Sequence, residues 1–304
     1  MTQAMTRPSP IRVWLLAVRP ATLPAALTGV IVGLGAAAGS GGPMRLDTAL
    51  GCVAVALLLQ VVANLANDLS DFRRGADTPD RQGPTRVAAA GLVTERQLEV
   101  AVAITVGIAG IVGLWLAWIG GPALVLVGLL AVVAALAYTG GPWPYGYRGL
   151  GELFVFVFFG LVAVVGTAYL QTGRLEPLYW VAAVPAGALI TAILVVNNLR
   201  DIPTDRAAGK RTIAVMVGER GATFEYLVLL AVAFLVPLGV AVTDGRWPVL
   251  APLLAIPLAV PLIRTVRTFD DRRALNPVLK GTARLALVFA LLFAAGLAAS
   301  AAGS

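Results

Sequence analysis

The chain has no histidine and only one cysteine among 304 residues. The first absence removes histidine triads, histidine general bases and histidine metal ligands together. The second excludes a disulfide within the chain, and Cys52, set in an apolar run, reads as a buried inert thiol. Any metal must then be held by oxygen atoms, which favours Mg²⁺ or a similar hard cation. Charge is scarce as well: 13% of residues are charged against 59% hydrophobic, with a mean hydropathy of +0.86. That balance excludes an ordinary soluble domain and fits a polytopic membrane protein. No secretory signal is evident, because Met1–Pro10 is polar and no small-residue cleavage site follows a short apolar core.

Nine apolar segments are present, at roughly 12–38, 47–66, 97–118, 121–139, 151–171, 177–199, 223–243, 247–267 and 282–301. Most approach the ~20 residues that cross a bilayer. Arg19-Pro20 interrupts the first, so Ile11–Val18 reads as an interfacial helix. The expected fold is an all-α bundle of about nine transmembrane helices, a single domain over 1–304. Of its 23 Lys and Arg residues, only Arg45, Arg174 and Arg246 fall in one set of alternate loops. The positive-inside rule places the N-terminus and the basic loops in the cytoplasm. Topology therefore accounts for the net charge of +7, and no nucleic-acid partner is expected. The spacing also suggests two pseudo-repeated four-helix halves, about 12–139 and 151–267, followed by a ninth helix at 282–301.

Two polar stretches end apolar runs. In the first, Asn64, Asp68 and Asp71 share one helix face by their spacing. In the second, NNLRDIPTDRAAGKRTIAVMVG, Asn197, Asp201 and Asp205 fall four residues apart. Carboxylates one turn apart, about 6 Å along the axis, repel unless a cation joins them. The plain alternative is a solvated loop end, but two stretches with one Asn–Asp–Asp order weaken it. These acidic faces are expected to meet across a cavity and hold Mg²⁺ against a diphosphate. Arg200, Arg206, Lys210 and Arg211 surround the second stretch. Lys210 and Arg211 read as anion-binding, while Arg206 and Arg220 read as positive-inside residues.

The connector from Tyr138 to Arg148, YTGGPWPYGYR, is a Gly/Pro-rich turn carrying aromatics. Trp143, and with it Tyr145, suits an aromatic belt. Tyr138 could shield an allylic cation. Arg148 could grip a diphosphate or carboxylate, or pair structurally with Glu152 four residues on. The phenylalanines at 154, 156, 158 and 159 fit packing better than a substrate groove. Arg19, with Pro20, Thr22 and Pro24, could approach the site. Gly29, Gly33 and Gly35 are spaced like helix-packing residues.

The pair NDLSD and NNLRDIPTD resembles the two Asp-rich motifs of the UbiA superfamily of intramembrane prenyltransferases. ADTPDRQGPTR, YTGGPWPYGYRGLGELFVFVFFG and DRAAGKRTIAVMVG look like the 1,4-dihydroxy-2-naphthoate polyprenyltransferases of menaquinone synthesis. The resemblance runs from about Arg19 to Gly218. It implies a helical bundle around a central cavity open to lipid, a polyprenyl diphosphate donor, Mg²⁺ and an aromatic acceptor. It assigns Asn64, Asp68, Asp71, Asp201 and Asp205 to the metal, and the reading of the connector adds Tyr138 beside the reacting groups. Substrate is left to Asn64, Asn197, Arg148, Lys210, Arg211 and Arg19. One departure stands out: many members carry a further Asp where this chain has Gly75, and the next acid is Asp77.

The implied reaction cleaves the donor's C–O bond to an allylic carbocation, which the electron-rich ring attacks with loss of a proton. For 1,4-dihydroxy-2-naphthoate the carboxylate leaves as CO₂, giving demethylmenaquinone at a bacterial inner membrane with the site facing the cytoplasm. The nearest alternative is the same chemistry on 4-hydroxybenzoate, homogentisate or a chlorophyllide. A cation-coupled transporter would carry its acids near mid-span, whereas here they sit at segment ends. A scaffold without a site is the third reading. Tail length and oligomeric state stay open.

Overall fold

A computed structural model describes residues 8–75 and 86–301, and among these there is no strand. Ten helices follow in order: α1 Pro10–Val18, α2 Leu23–Gly39, α3 Leu46–Arg73, α4 Glu95–Gly120, α5 Ala123–Ala137, α6 Gly151–Thr172, α7 Pro177–Ala207, α8 Ile213–Asp244, α9 Trp247–Thr268 and α10 Leu275–Ala301. With α1 and α2 taken together, eight stretches are long and apolar enough to cross a membrane, and α5 is a shorter apolar helix. The chain is thus an all-α multi-pass membrane protein whose helices match the nine apolar runs. Asp77 and Asp80 lie outside the described residues.

The break at Arg19-Pro20 is built as an elbow. Ser9 caps α1, with Pro10 in its first turn, and α1 ends on Arg19 in the left-handed region at φ 54°. A 3₁₀ turn, Pro20–Thr22, then leads into α2. Val13 and Ala17 of α1 are buried against Leu65 and Leu69 of α3 and Val87 of the following turn, while Ile11 and Leu15 are exposed.

Small residues set the helix spacing, as packing in lipid requires. A Cβ on Gly29 would sit 2.4 Å from the Phe159 carbonyl oxygen, and one on Gly33 would sit 2.6 Å from that of Val164. Both face α6. A Cβ on Gly35 would lie 2.3 Å from Ala294 Cα, and on Gly39 2.7 Å from the Leu297 carbonyl oxygen. Two glycine faces thus clamp α2 between α6 and α10. Helix α7 is central: Ala182, Ala183, Gly187, Thr191, Val195 and Leu199, which point to different sides of its axis, are all buried, so it is enclosed around its circumference.

Two breaks in regularity position side chains. Phe156–Val162 forms a π-helical turn within α6, which shifts the facing of the residues beyond it. Pro203 lies inside α7, where it lacks the N–H that would reach the Leu199 carbonyl. The Arg272 guanidinium donates to that carbonyl at 2.5 Å and also pairs with Glu219. Helix α8 bends at Gly218, whose φ of 74° is outside the helical range.

Candidate active site at the ends of α3 and α7

A cavity of about 430 Å³ runs inside the bundle. Its polar end is walled by Asn64, Asn67 and Asp71 of α3 and by Asn197, Asn198, Asp201, Thr204 and Asp205 of α7, together with Arg19, Arg86, Tyr138, Tyr147 and Lys210. The two acidic stretches therefore face one space. Along α3 the wall continues through Gln60, Ala56 and Val55 to Cys52, nineteen residues from Asp71 and so about 28 Å down the helix. There Val30, Cys52, Leu116 and Leu170 pack into a buried apolar cluster.

Lysine 210 joins the two stretches. Its ammonium lies 3.4 Å from Asp71 Oδ1 and 3.8 Å from Asp205 Oδ1. The sequence DRAAGK explains how it gets there. Gly209, at φ 72°, ends α7 in the left-handed region. The Lys210 N–H then donates to the Asp205 carbonyl at 2.8 Å and the Gly209 N–H to that of Arg206 at 3.1 Å, the double bond of a Schellman closure. The closure folds the chain back over its own helix end.

Asp71 is further held by Arg86 Nη2 at 2.6 Å and by the Tyr147 hydroxyl, which donates at 3.0 Å. The Tyr147 ring carries Lys210 Nζ 4.7 Å from its centroid and Arg74 Cζ at 5.5 Å. Burial, and then the charge of Asp71, pushes the Tyr147 phenol above its ordinary range, so it stays a donor. The Arg211 N–H donates to the Tyr147 carbonyl at 2.9 Å and pins this connector to the start of α8. Sequence reasoning passed over Tyr147 and Arg86 as site residues, although both lie in the quoted motifs.

The remaining expected residues divide. Arg200, almost wholly buried, donates through Nε and Nη2 to both oxygens of Asp201 at 2.8 and 2.6 Å, to Asn197 Oδ1 at 2.9 Å and to Asn276 of α10 at 2.9 Å. Asp201 reaches the cavity wall already clamped. Asn64 also lines the wall, yet its Nδ2 donates to the Val18 carbonyl at 2.8 Å and to Thr22 at 3.0 Å, fastening the Arg19 elbow. Asp68 is fully buried and is not part of the wall. It accepts the N–H groups of Val87 and Ala88 at 3.1 and 3.4 Å and lies 4.0 Å from Arg19.

The structure moves some residues away from the expected place. Arg148 is exposed, 4.9 Å over the Trp143 ring, and Glu152 instead accepts from Asn198 at 2.8 Å. Arg211 is exposed and contributes its backbone rather than a wall side chain. Tyr145 is buried rather than belted: its hydroxyl donates to the Ala134 carbonyl at 2.8 Å and its ring stacks on Phe154 at 4.0 Å. Phe154, Phe158 and Phe159 line the cavity, whereas Phe156 packs against Gly187. Arg206 and Arg220 are exposed, as residues that only obey loop topology would be.

The donor set suits a hard cation: carboxylate and amide oxygens with no nitrogen or sulfur ligand. Among the described residues no three acids converge tightly enough to form a metal cluster by themselves. Asp71 and Asp205, on either side of one ammonium, are the pair best placed to share a divalent ion.

Comparison with known proteins decides the family. The UbiA prenyltransferase family matches residues 26–288. The chain belongs to that family. A relative from Mycobacterium tuberculosis, described as 1,4-dihydroxy-2-naphthoate octaprenyltransferase, is 43% identical over 94% of this chain and 96% of its own. One of the same description from Escherichia coli is 39% identical over 93% and 94%. A UbiA homolog from Archaeoglobus fulgidus, solved with DMAPP and Mg²⁺, shares the fold at a TM-score of 0.63 and 16% identity, covering 92% of this chain and 98% of that one. UbiA membership makes the chain a prenyltransferase, and sets aside the transporter and the scaffold.

Proposed function

We propose that this membrane enzyme transfers a polyprenyl group from a polyprenyl diphosphate to 1,4-dihydroxy-2-naphthoate, an aromatic acceptor, with loss of CO₂ and diphosphate to give demethylmenaquinol, the hydroquinone that a later oxidation converts to demethylmenaquinone. The observation that carries the reading is the Lys210 ammonium set between Asp71 of α3 and Asp205 of α7 on the wall of one cavity. Such a site has anion-holding and cation-holding groups at one end and an apolar run at the other, which is the polarity of the donor. The naphthoate relatives and the Mg²⁺-bearing fold neighbour support it.

Asp71 and Asp205 would hold Mg²⁺, with Asp201, Asn64 and Asn197 beside them; when bound, the ion neutralises the diphosphate as it leaves. Lys210, Arg86 and Arg19 supply the remaining positive charge. Asp68 acts by holding the 86–88 turn, and so Arg86, against the site. The donor's C–O bond breaks with its electron pair leaving on the diphosphate. The Tyr138 and Phe158 rings on the wall face the allylic cation and keep water away. The ring carbon bearing the carboxylate forms the new C–C bond, and the carboxylate's bond to that carbon then breaks, leaving its electron pair in the ring. Arg148 and Arg211, both exposed, would meet substrate only at the mouth.

This end of the cavity, and the N-terminus, would face the cytoplasm at the bacterial inner membrane, a reading that the sorting of basic residues supports. The cavity would open sideways to lipid, from which the tail enters. The two acidic ends, each closing the second member of a half, fit the pseudo-repeat of 12–139 and 151–267.

The test is an assay of the purified protein with 1,4-dihydroxy-2-naphthoate, a polyprenyl diphosphate and Mg²⁺, against an EDTA control and paired with 4-hydroxybenzoate. The expected product is an EDTA-sensitive prenylated naphthohydroquinone, read as the quinone after air oxidation. Turnover of 4-hydroxybenzoate alone would move the acceptor and leave the chemistry.

A further inference from the structure

We infer that Lys210 is a resident counter-ion, competing with a divalent cation for Asp71 and Asp205 and turning to the diphosphate when both ligands are bound. This rests on the prenyl-diphosphate reading of the site. Lys210 touches the two carboxylates at 3.4 and 3.8 Å, the oxygens that a divalent ion bridging α3 and α7 would need. The ammonium has little else to leave for in the protein. Its charge lies over the Tyr147 ring, 4.7 Å from the centroid, and the neighbouring carboxylate Asp201 is taken on both oxygens by Arg200.

The backbone cannot carry Lys210 away. Its N–H is bonded to the Asp205 carbonyl, and the next N–H, that of Arg211, is bonded to Tyr147. Only the side chain is free to turn. A divalent ion arriving alone at Asp71 and Asp205 therefore meets a positive charge at contact distance on a fixed tether. A metal arriving with a diphosphate brings phosphate oxygens to which the ammonium can swing. Lysine suits this exchange because its charge is a compact point on a flexible stem, unlike the planar fork of Arg86 beside it.

Lys210 thus couples the two ligands. It weakens metal binding when diphosphate is absent and strengthens diphosphate binding when metal is present, so each ligand favours the other by the same factor. The consequence is a site that does not fill with metal ahead of its donor.

The experiment measures Mn²⁺ binding to detergent-purified protein by the loss of the free-ion EPR signal, with and without saturating geranyl S-thiodiphosphate. Lys210→Met keeps an unbranched side chain of similar length and removes the charge. It should bind Mn²⁺ alone about tenfold more tightly than the unaltered protein and bind the thiodiphosphate about tenfold more weakly, changes of opposite sign. Lys210→Arg, which keeps the charge, should leave Mn²⁺ alone as weak as before. Unchanged or weaker Mn²⁺ binding by Lys210→Met in the absence of the thiodiphosphate would overturn the inference. Asp71→Asn tests the underlying reading separately: if it binds Mn²⁺ like the unaltered protein in both conditions, the metal site itself is misplaced.

Discussion

Replacing Tyr147 by Phe removes one oxygen and leaves the ring in place. That oxygen donates to Asp71 Oδ1 at 3.0 Å, while Arg86 and Lys210 hold the same carboxylate. A hydrogen bond to a charged group contributes about 1.5–3 kcal/mol, and with two cations remaining the low end applies. The expected loss is then roughly tenfold in kcat/KM, since 1.36 kcal/mol corresponds to a factor of ten. Tyr147→Leu also removes the aromatic face under Lys210 and Arg74. Cation–π contacts contribute ~0.5–2 kcal/mol each, so a further several-fold loss should follow. The assay is the initial rate of prenylated naphthohydroquinone formation in detergent with farnesyl diphosphate, alongside a thermal melt to show that both variants fold. The phenol is pushed up by burial and stays protonated, so the ratio of unaltered to Tyr147→Phe rates should be flat between about pH 6 and 9. Equal rates for Tyr147→Phe and the unaltered protein, or for the two variants, would refute the account of how Asp71 and Lys210 are held.

Four further outcomes follow from the same geometry. Asp71→Asn should lower kcat/KM by about 100-fold or more and also lower the melting temperature, because it takes the charge opposite the buried Arg86 guanidinium; Asp205→Asn should lower kcat/KM as much while the melting temperature moves little. Asp68→Ala should do the reverse: it strands the buried N–H groups of Val87 and Ala88, costing about 1–3 kcal/mol each, and should show as a lower melting temperature with partial activity. Gly35→Leu should destabilise strongly, because even a Cβ meets Ala294 Cα at 2.3 Å; a normal melt would contradict the close packing of α2 on α10. Arg272→Met should destabilise by ~1–3 kcal/mol by exposing the Leu199 carbonyl, and Pro203→Ala should recover part of that loss in a double-mutant cycle.

Hydropathy and basic-residue placement made the helices legible, down to the break at Arg19. The site was legible in part. Spacing put Asn64, Asp68 and Asp71 on one face, but successive helical residues turn by about 100°, so a residue four on lies ~40° off its predecessor. That offset is enough to aim Asp68 at the 86–88 turn while Asn64 and Asp71 meet the cavity. The partners of Asp71 were hidden because Arg86, Tyr147 and Lys210 are 15, 76 and 139 residues away in the chain. Arg148 misled because an arginine four residues from a buried acid invites pairing; Asn198, from another helix, reaches Glu152 first. Phe158 and Phe159, two of the cavity-facing phenylalanines, looked like packing because the π-helical turn that carries them has no mark in spacing alone.

The one thiol of this protein stands at the far wall of its own cavity, about 28 Å along α3 from the aspartates. A bulkier side chain at that position would meet the tip of a long hydrocarbon and spare a short one, so Cys52 is where chain length could be read or changed.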